Sequence, residues 1–307
     1  MKIRSVLFAL AAVAVIGCGQ NSKKAEPAYK VVETSLPLME KFLADKESAP
    51  EEKVALYEGV YMSMMDEFQK GMDSLSTDQE KAQEYYDAFI EDYVAFNVKA
   101  AECNPDNEVA VLVLKNLMGM IEDDQAESII SKMPEAMQQD DFVVYMKKGL
   151  DARKTTAEGM MFTDFTVEHV YGYDRSVDPQ PLKQEVKFSD YVGKDTYVLV
   201  DFWSPWCGPC KREIPNIKQV YEQYKDKGLE VISLTVWERK PQSHTFETAV
   251  ELEMDWTVLT NCGNVPTDIY GVEGIPHLML IGPDGTILKR GFHGLEGIQE
   301  AVAEYIK

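Results

Sequence analysis

Two cysteines two residues apart, Cys207 and Cys210, lie inside the stretch FWSPWCGPCKREIP at residues 202–215. Three kinds of chemistry use that spacing: a metal held by thiolates, a turn locked by a structural disulfide, and electron exchange between a dithiol and a disulfide. Structural zinc takes four ligands, commonly a second cysteine pair or spaced histidines. This chain has one such pair, and His169, His244, His277 and His293 show no ligand spacing, so no metal site is expected. A purely structural bridge across so short a loop removes little entropy from the unfolded chain. It would also leave the position of the pair unexplained: directly after an apolar β-type run, at the start of a helical stretch over 208–226.

That position suits redox work. Pro209 is tolerated in a first helical turn, where amide hydrogens have no helical acceptor. The same free N–H groups, with the partial positive charge of a helix N-terminus, stabilise a thiolate over a thiol. They should lower the Cys207 pKa below the ordinary value of about 8.5. Cys207, flanked by Trp206 and open to solvent, is then the expected nucleophile. Cys210, one turn further in, is expected to be more buried and to attack the mixed disulfide once it forms. The Cys207–Cys210 dithiol/disulfide couple would itself carry the electrons, so no further cofactor is implied.

The elements that must place this pair are legible around it. Tyr197 to Phe202 and Leu229 to Val236 are short β-branched runs flanking the 208–226 helix. Strand, helix, strand implies a parallel pair with a right-handed crossover. A helix over about 243–254 leads to Trp256-Thr257-Val258-Leu259. His277 to Ile281, the Gly282-Pro283-Asp284-Gly285 turn and Thr286 to Arg290 read as a β-hairpin, and 295–306 as a closing helix. The expected class for residues 159–307 is α/β, a central mixed sheet with helices on both faces.

Residues 29–155 read as an all-α domain. Val54, Tyr57, Tyr61, Met64 and Phe68 follow helical spacing. So do Ala82, Tyr86, Phe89, Tyr93 and Phe96, and then Val109, Val113, Leu117 and Met120. Ser48-x-x-Glu51 and Thr77-x-x-Glu80 have the form of capping boxes, and a further helix is expected from Pro134 to Leu150. Asn104-Pro105 interrupts the series, because the residue before a proline avoids the helical region. The Met- and Tyr-rich stripe is read as core rather than as a client-binding surface. The role of this half is not written in its residues.

The first residues carry an address. Lys2 and Arg4 precede an apolar run from Val6 to Ile16, too short for a comfortable membrane span, which needs about 20 residues. Val15-Ile16-Gly17-Cys18 resembles the bacterial lipoprotein box, which implies a signal peptide over 1–17, lipidation of Cys18 and a polar tether over 18–28; an ordinary signal peptide with a chance cysteine is the alternative. The acyl chains would be the anchor, since no later segment is long and apolar enough to span a bilayer. The net charge of −21 is spread over both halves and argues against nucleic acid, because nothing would neutralise phosphates. Cys103 and Cys262 have no catalytic motif around them and read as unrelated buried thiols, a bridge between them being the alternative.

Trp206-Cys207-Gly208-Pro209-Cys210-Lys211 after Val198-Leu199-Val200-Asp201-Phe202-Trp203 resembles the thioredoxin family, and the likeness runs from about Gly159 to the C-terminus. It implies that Asp201 assists proton transfer from the buried cysteine. It also implies that Gly274-Ile275-Pro276 supplies a cis-proline opposite the disulfide, with Ile275 and Pro276 shaping the client groove beside Trp206, and that Pro215 kinks the active-site helix. A peroxiredoxin pattern fails, because Val200 stands where its proline should be.

The extracytoplasmic TlpA/ResA branch fits better than cytoplasmic thioredoxin. That branch adds a β-hairpin before the core, matched by Phe165 to Tyr171 with Glu185 to Phe188, and a helix–strand insertion, matched by 243–259. It also has a thiol-tuning glutamate three residues past the second cysteine, where Glu213 stands; a solvated surface residue is the alternative. The Gly-Pro dipeptide departs from the Glu-Pro of ResA, and His277 after the proline is unusual. Gly-Pro is the dipeptide of thioredoxin, at about −270 mV against about −120 mV for the oxidant DsbA, and so implies a reductant. Client proteins with disulfides and a membrane electron donor of the DsbD/CcdA kind follow by resemblance, in a periplasm-facing, lipid-anchored position on the bacterial envelope. The alternatives are an oxidase or isomerase, and a client-binding lipoprotein with an accessory thioredoxin-like domain.

Overall fold

Helical spacing of apolar side chains builds the first part of the chain in the structure, a computed structural model that describes residues 29–174 and 180–307, the side chains of Gln242 and Ser243 excepted. The signal segment, Cys18 and the tether lie outside the described residues. Among those described, no helix is long and apolar enough to cross a membrane. Two compact units divide after Val144.

The first unit contains α1 (Leu36–Ala44), α2 (Pro50–Ser74), α3 (Gln79–Cys103), α4 (Glu108–Leu117), α5 (Asp123–Lys132) and the start of α6 (Asp141–Thr155). Its centre is aromatic: Phe42 meets Tyr57 at 5.9 Å and Phe96 at 6.0 Å between ring centroids. Tyr57, Met64, Phe89, Tyr93, Phe96, Val113 and Leu117 are buried, so the Met- and Tyr-rich stripe is largely core, with Tyr86 and Met120 exposed. Both expected caps move by one residue. Ala49 precedes α2 and its N–H donates to Glu52, while Asp78 precedes α3 and accepts from the Lys81 N–H. Asp45 takes the Ser48 N–H, which leaves Ser48 outside the helix. The helix expected from Pro134 begins later, at Asp141, because Pro134 opens a short 3-10 turn and Asp140 accepts the Phe142 N–H. The helices α1 and α5 were not expected.

The second unit, Tyr145–Lys307, is α/β, as expected. Its strands are β1 (Thr166–Asp174), β2 (Gln180–Lys187), β3 (Tyr197–Trp203), β4 (Leu229–Val236), β5 (Thr257–Gly263), β6 (His277–Ile281) and β7 (Ile287–Phe292). Its remaining helices are α7 (Gly208–Tyr224), α8 (Gln242–Glu251), α9 (Val265–Tyr270) and α10 (Gly294–Ala303). The main sheet runs β5-β4-β3-β6-β7, with β3 parallel to β4 and antiparallel to β6. Side chains alternate across it. Leu199, Val231, Leu278 and Leu280 meet Ile217 and Val220 of α7 and Ile298 and Val302 of α10. Val198, Val200, Phe202, Ile232, Leu234, Met279 and Ile281 form the core of the other face. The β1–β2 hairpin pairs Thr166 with Lys187, and Thr260 of β5 donates to the Val170 carbonyl at 2.6 Å.

The division falls within α6, ahead of the change expected near residue 155, for a visible reason. The last turns of α6 are bonded into the second unit: Arg153 Nη1 donates to the Gly271 carbonyl at 3.1 Å and to Glu273 at 2.8 Å. Arg290 joins the Thr156 and Tyr270 carbonyls at 2.9 and 2.7 Å.

Candidate active site

Because β3 is the central strand and is buried from Val198 to its end at Trp203, the turn that follows it is delivered at the C-terminal end of that strand with little freedom. Cys207 is the N-cap of α7, with Pro209 in the first turn. Its Sγ accepts the Cys210 N–H at 3.1 Å, one of the donors that a helix start leaves unpaired. Cys207 and Cys210 are joined as a disulfide with their Cα atoms 5.3 Å apart. Cys207 is not open to solvent in this form: it is 3% exposed, close to the 1% of Cys210. Trp203 packs beneath the pair, with Ile275, Met254, Leu252 and Val258 around it. Trp206, at 37%, forms the exposed rim.

The Ile275–Pro276 peptide is cis, as the resemblance implies. The Ile275 carbonyl oxygen lies 3.7 Å from Cys207 Sγ; a disulfide sulfur has no hydrogen to donate, so this is a contact rather than a hydrogen bond. Arg153, through Gly271 and Glu273, fixes the segment that leads into this loop. Gly271 sits at φ 60°, and an added Cβ would stand 2.6 Å from the Gly149 carbonyl oxygen, so the close approach of α6 requires glycine there.

Two residues before the end of β3, Asp201 is buried and accepts the Ser233 hydroxyl at 2.8 Å; Trp256 Nε1 donates to the same hydroxyl at 2.9 Å. Burial pushes the Asp201 carboxyl up to about 7; the Ser233 hydrogen bond opposes the rise and the nearby Glu213 adds to it. Glu213 is not a solvated surface residue. It is buried, and its Oε1 accepts the Gly294 N–H at 2.6 Å, at the start of α10. Glu213 therefore ties α7 to α10 and places its charge within reach of Asp201.

His277, next to the cis-proline, packs edge-on against Phe202 at 5.6 Å, and its buried Nε2 has no protein partner. Burial holds its pKa down at about 3, with Arg290 and His293 adding to the effect, so the imidazole is neutral across the physiological range. Among the described residues, no group of His, Cys, Asp and Glu could hold a metal ion. Cys262 is a free buried thiol, so it does not bridge to Cys103.

The structure thus gathers Cys207, Cys210, Trp206, Ile275 and Pro276 past the C-terminal end of β3, with Glu213 one turn along α7 from Cys210 and Asp201, inside β3, within electrostatic reach of Glu213. Sequence reasoning passed over Ser233, Trp256 and Arg153. Ser233 had a signal: it is a polar residue inside the apolar run LEVISLTV, and its register partner is Asp201.

Residues 159–290 match the AhpC/TSA family. Similar proteins include the thiol-disulfide oxidoreductase ResA of Bacillus thuringiensis subsp. konkukian, 32% identical over 124 residues, or 40% of this chain and 68% of that protein. ResA of Bacillus subtilis is 28% identical over 137 residues, or 45% of this chain and 68% of that protein. Among solved structures, the thioredoxin domain of a thiol-disulfide oxidoreductase from Bacteroides vulgatus aligns with a TM-score of 0.40 at 24% identity, covering 49% of this chain and 99% of that domain.

Proposed function

This chain belongs to the ResA-like thiol-disulfide oxidoreductases, and from that premise we propose that it is a lipid-anchored, extracytoplasmic reductant of client-protein disulfides. The observation that carries the chemistry is the Cys210 N–H directed at Cys207 Sγ on the first turn of α7. A donor there, with the helix dipole behind it, favours sulfur that carries negative charge.

In the reduced protein, the Cys207 thiolate attacks one sulfur of a client disulfide. A new S–S bond forms to Cys207, the client bond breaks, and the client's other sulfur leaves as a thiolate that takes up a proton. Cys210 then gives its proton to Asp201 and attacks Cys207 Sγ. The mixed disulfide breaks, the second client sulfur leaves, and the Cys207–Cys210 disulfide is the oxidised product. Two electrons pass to the client. Asp201, titrating near 7, can hold that proton and release it at neutral pH, with Glu213 helping to set its value. Ile275 and Pro276 offer backbone to the client next to the reacting sulfur, and Trp206 covers one side.

The Gly208-Pro209 dipeptide supports the reducing direction, and Cys18 in its lipoprotein-type box supports the anchor. A reductant outside the cytoplasm must be recharged, which supports a membrane donor of the DsbD/CcdA kind. Recruitment of clients by the helical unit remains a separate reading; deleting residues 29–144 and finding client selection unchanged in cells would remove it.

The test is direct. Cys207→Ser should abolish reduction of insulin disulfides, and Cys210→Ser should accumulate mixed disulfides; turnover by both variants would refute the mechanism. A reduction potential above about −180 mV, the level of protein disulfide isomerase, would turn the assignment to an oxidase or isomerase. Cys18→Ala should move the protein from the membrane to the soluble fraction.

A further inference from the structure

In a chain of net charge −21, the segments 211–212 and 239–240 near the disulfide are basic, while Glu253 and Asp255, beside the Met254 that packs against the cysteines, are acidic. Arg212 and Arg239 are exposed, as is Lys240, and Lys211 is half-buried. The Arg212 guanidinium reaches over Gly208, with Nη1 3.7 Å from the place where a Cβ would stand. The acidic residues of the same segments are engaged elsewhere. Glu213 takes the Gly294 N–H, Glu238 takes the Thr245 hydroxyl at 3.0 Å, and Glu273 pairs with Arg153 at 2.8 Å.

One of these cations is held in a defined geometry. Trp206 Nε1 donates to the Trp237 carbonyl at 2.8 Å, which locks the indole beside Cys207. Trp237 itself sits in the left-handed region at φ 52°, a conformation that costs a non-glycine residue energy and recurs at functional sites. The Arg239 guanidinium lies over the Trp206 ring, 3.7 Å from its centroid. An arginine that packs its flat face on an aromatic ring keeps its in-plane N–H fork directed outward, and that fork matches a carboxylate.

We propose that Arg239 is a specificity-determining residue: with Trp206 it forms a carboxylate receptor that selects client disulfides bearing Asp or Glu beside one cysteine. The receptor rests on the reading of this protein as a disulfide reductase and supplies its substrate class. Arg239 acts in client binding, before any bond is exchanged. Arg212 and Lys211 add a diffuse positive field that falls with salt, whereas the Arg239 fork adds direction.

The experiment uses the pre-reduced full chain in single turnover against three disulfide peptides that differ at one position next to a cysteine: Glu, Gln or Lys. The wild type should reduce the Glu peptide about fivefold more efficiently than the Gln peptide, the size expected of one exposed but well-oriented charged contact. The gain should lie in the half-saturating concentration rather than the maximal rate, with the Lys peptide slowest. In Arg239→Gln the Glu-to-Gln ratio should fall to near one, and Arg239→Lys, which keeps charge without the fork, should fall between. Equal efficiency on all three peptides in the wild type, or a Glu-to-Gln ratio unaltered by Arg239→Gln, overturns the inference while leaving the reductase intact. No reduction of any peptide overturns the reductase reading, and the receptor with it.

Discussion

The helical core and the redox site differ in how many of their buried polar groups find a protein partner. In the first unit, Tyr57 is buried with its hydroxyl donating to Asn97 and accepting from Asn116 at 2.8 Å, and Asp92 accepts the N–H groups of Lys30 and Val31 at 2.7 and 2.8 Å. Around the disulfide, Trp203 Nε1, Ser204 Oγ, Thr235 Oγ1 and His277 Nε2 are buried without a protein partner, against Asp45 Oδ2 alone among the described residues of the first unit. Burial disfavours the charge of Asp201, as it does that of Asp92, but Asp201 accepts only a hydroxyl where Asp92 accepts two backbone N–H groups. Polar groups without partners cost stability, and they cluster where a structure serves something other than stability. The difference separates a unit arranged to stay folded from one arranged to move protons and electrons.

Substitutions can break that contrast or sharpen it, and Asp201 should give the largest effect. Its folded pKa lies above its unfolded value, so the folded protein holds the proton more tightly. Stability is then greatest below about pH 4 and is lost as pH rises through about 7. Asp201→Asn should stabilise the protein by up to about 4 kcal/mol at pH 8 and by little at pH 4, read by denaturant titration at both values. The same variant should slow release of client from the Cys207 mixed disulfide and flatten the dependence of that step on pH near 7. Stability that tracks the wild type at both pH values would mean that Asp201 is not held at a cost.

Tyr57→Phe should act in the opposite sense. It removes the hydroxyl that joins two asparagines, leaving buried amide groups short of a partner, and should cost about 1–3 kcal/mol in the same titration. Arg153→Ala should cost about 1–3 kcal/mol as well, because the Gly271 carbonyl and the Glu273 carboxylate both lose a half-buried charged donor. Faster amide exchange confined to Gly271–Ile275 would show that the clamp acts on the cis-proline segment. The smallest effect belongs to Thr235→Val, a near-isosteric change at a fully buried hydroxyl with no protein partner. It should leave stability within about 1 kcal/mol or raise it; a loss comparable to Tyr57→Phe would erase the contrast between the two regions.

How much of this was legible before the fold was known depended on whether the signal was local. The β3–α7–β4 unit was, because β-branched runs and a proline-marked helix start are written in consecutive residues. Asp201 and Pro276 were reached through their motifs, not through any property of their neighbours. In the first unit, α5 was missed because its sequence DDQAESIISK carries few apolar residues, of which Ala126, Ile129 and Ile130 are buried. Both capping boxes slipped by one residue, since Asp45 takes the Ser48 N–H and Asp78, next to Thr77, caps α3 itself by accepting the Lys81 N–H. The burial of Cys207 could not be read locally, because Ile275 and Met254, distant in sequence, pack around it. Arg239 over Trp206 has the same character: the two residues are on different loops, and only the strand register brings them together.

Everything in the mechanism begins with charge on one sulfur, so the decisive measurement is the alkylation rate of Cys207 in the reduced protein as a function of pH, with the modified site located by mass spectrometry. Cys262 should stay silent, because burial pushes its thiol far up. The account predicts a midpoint for Cys207 at least one unit below the ordinary cysteine value of about 8.5. A midpoint at or above that value would contradict it.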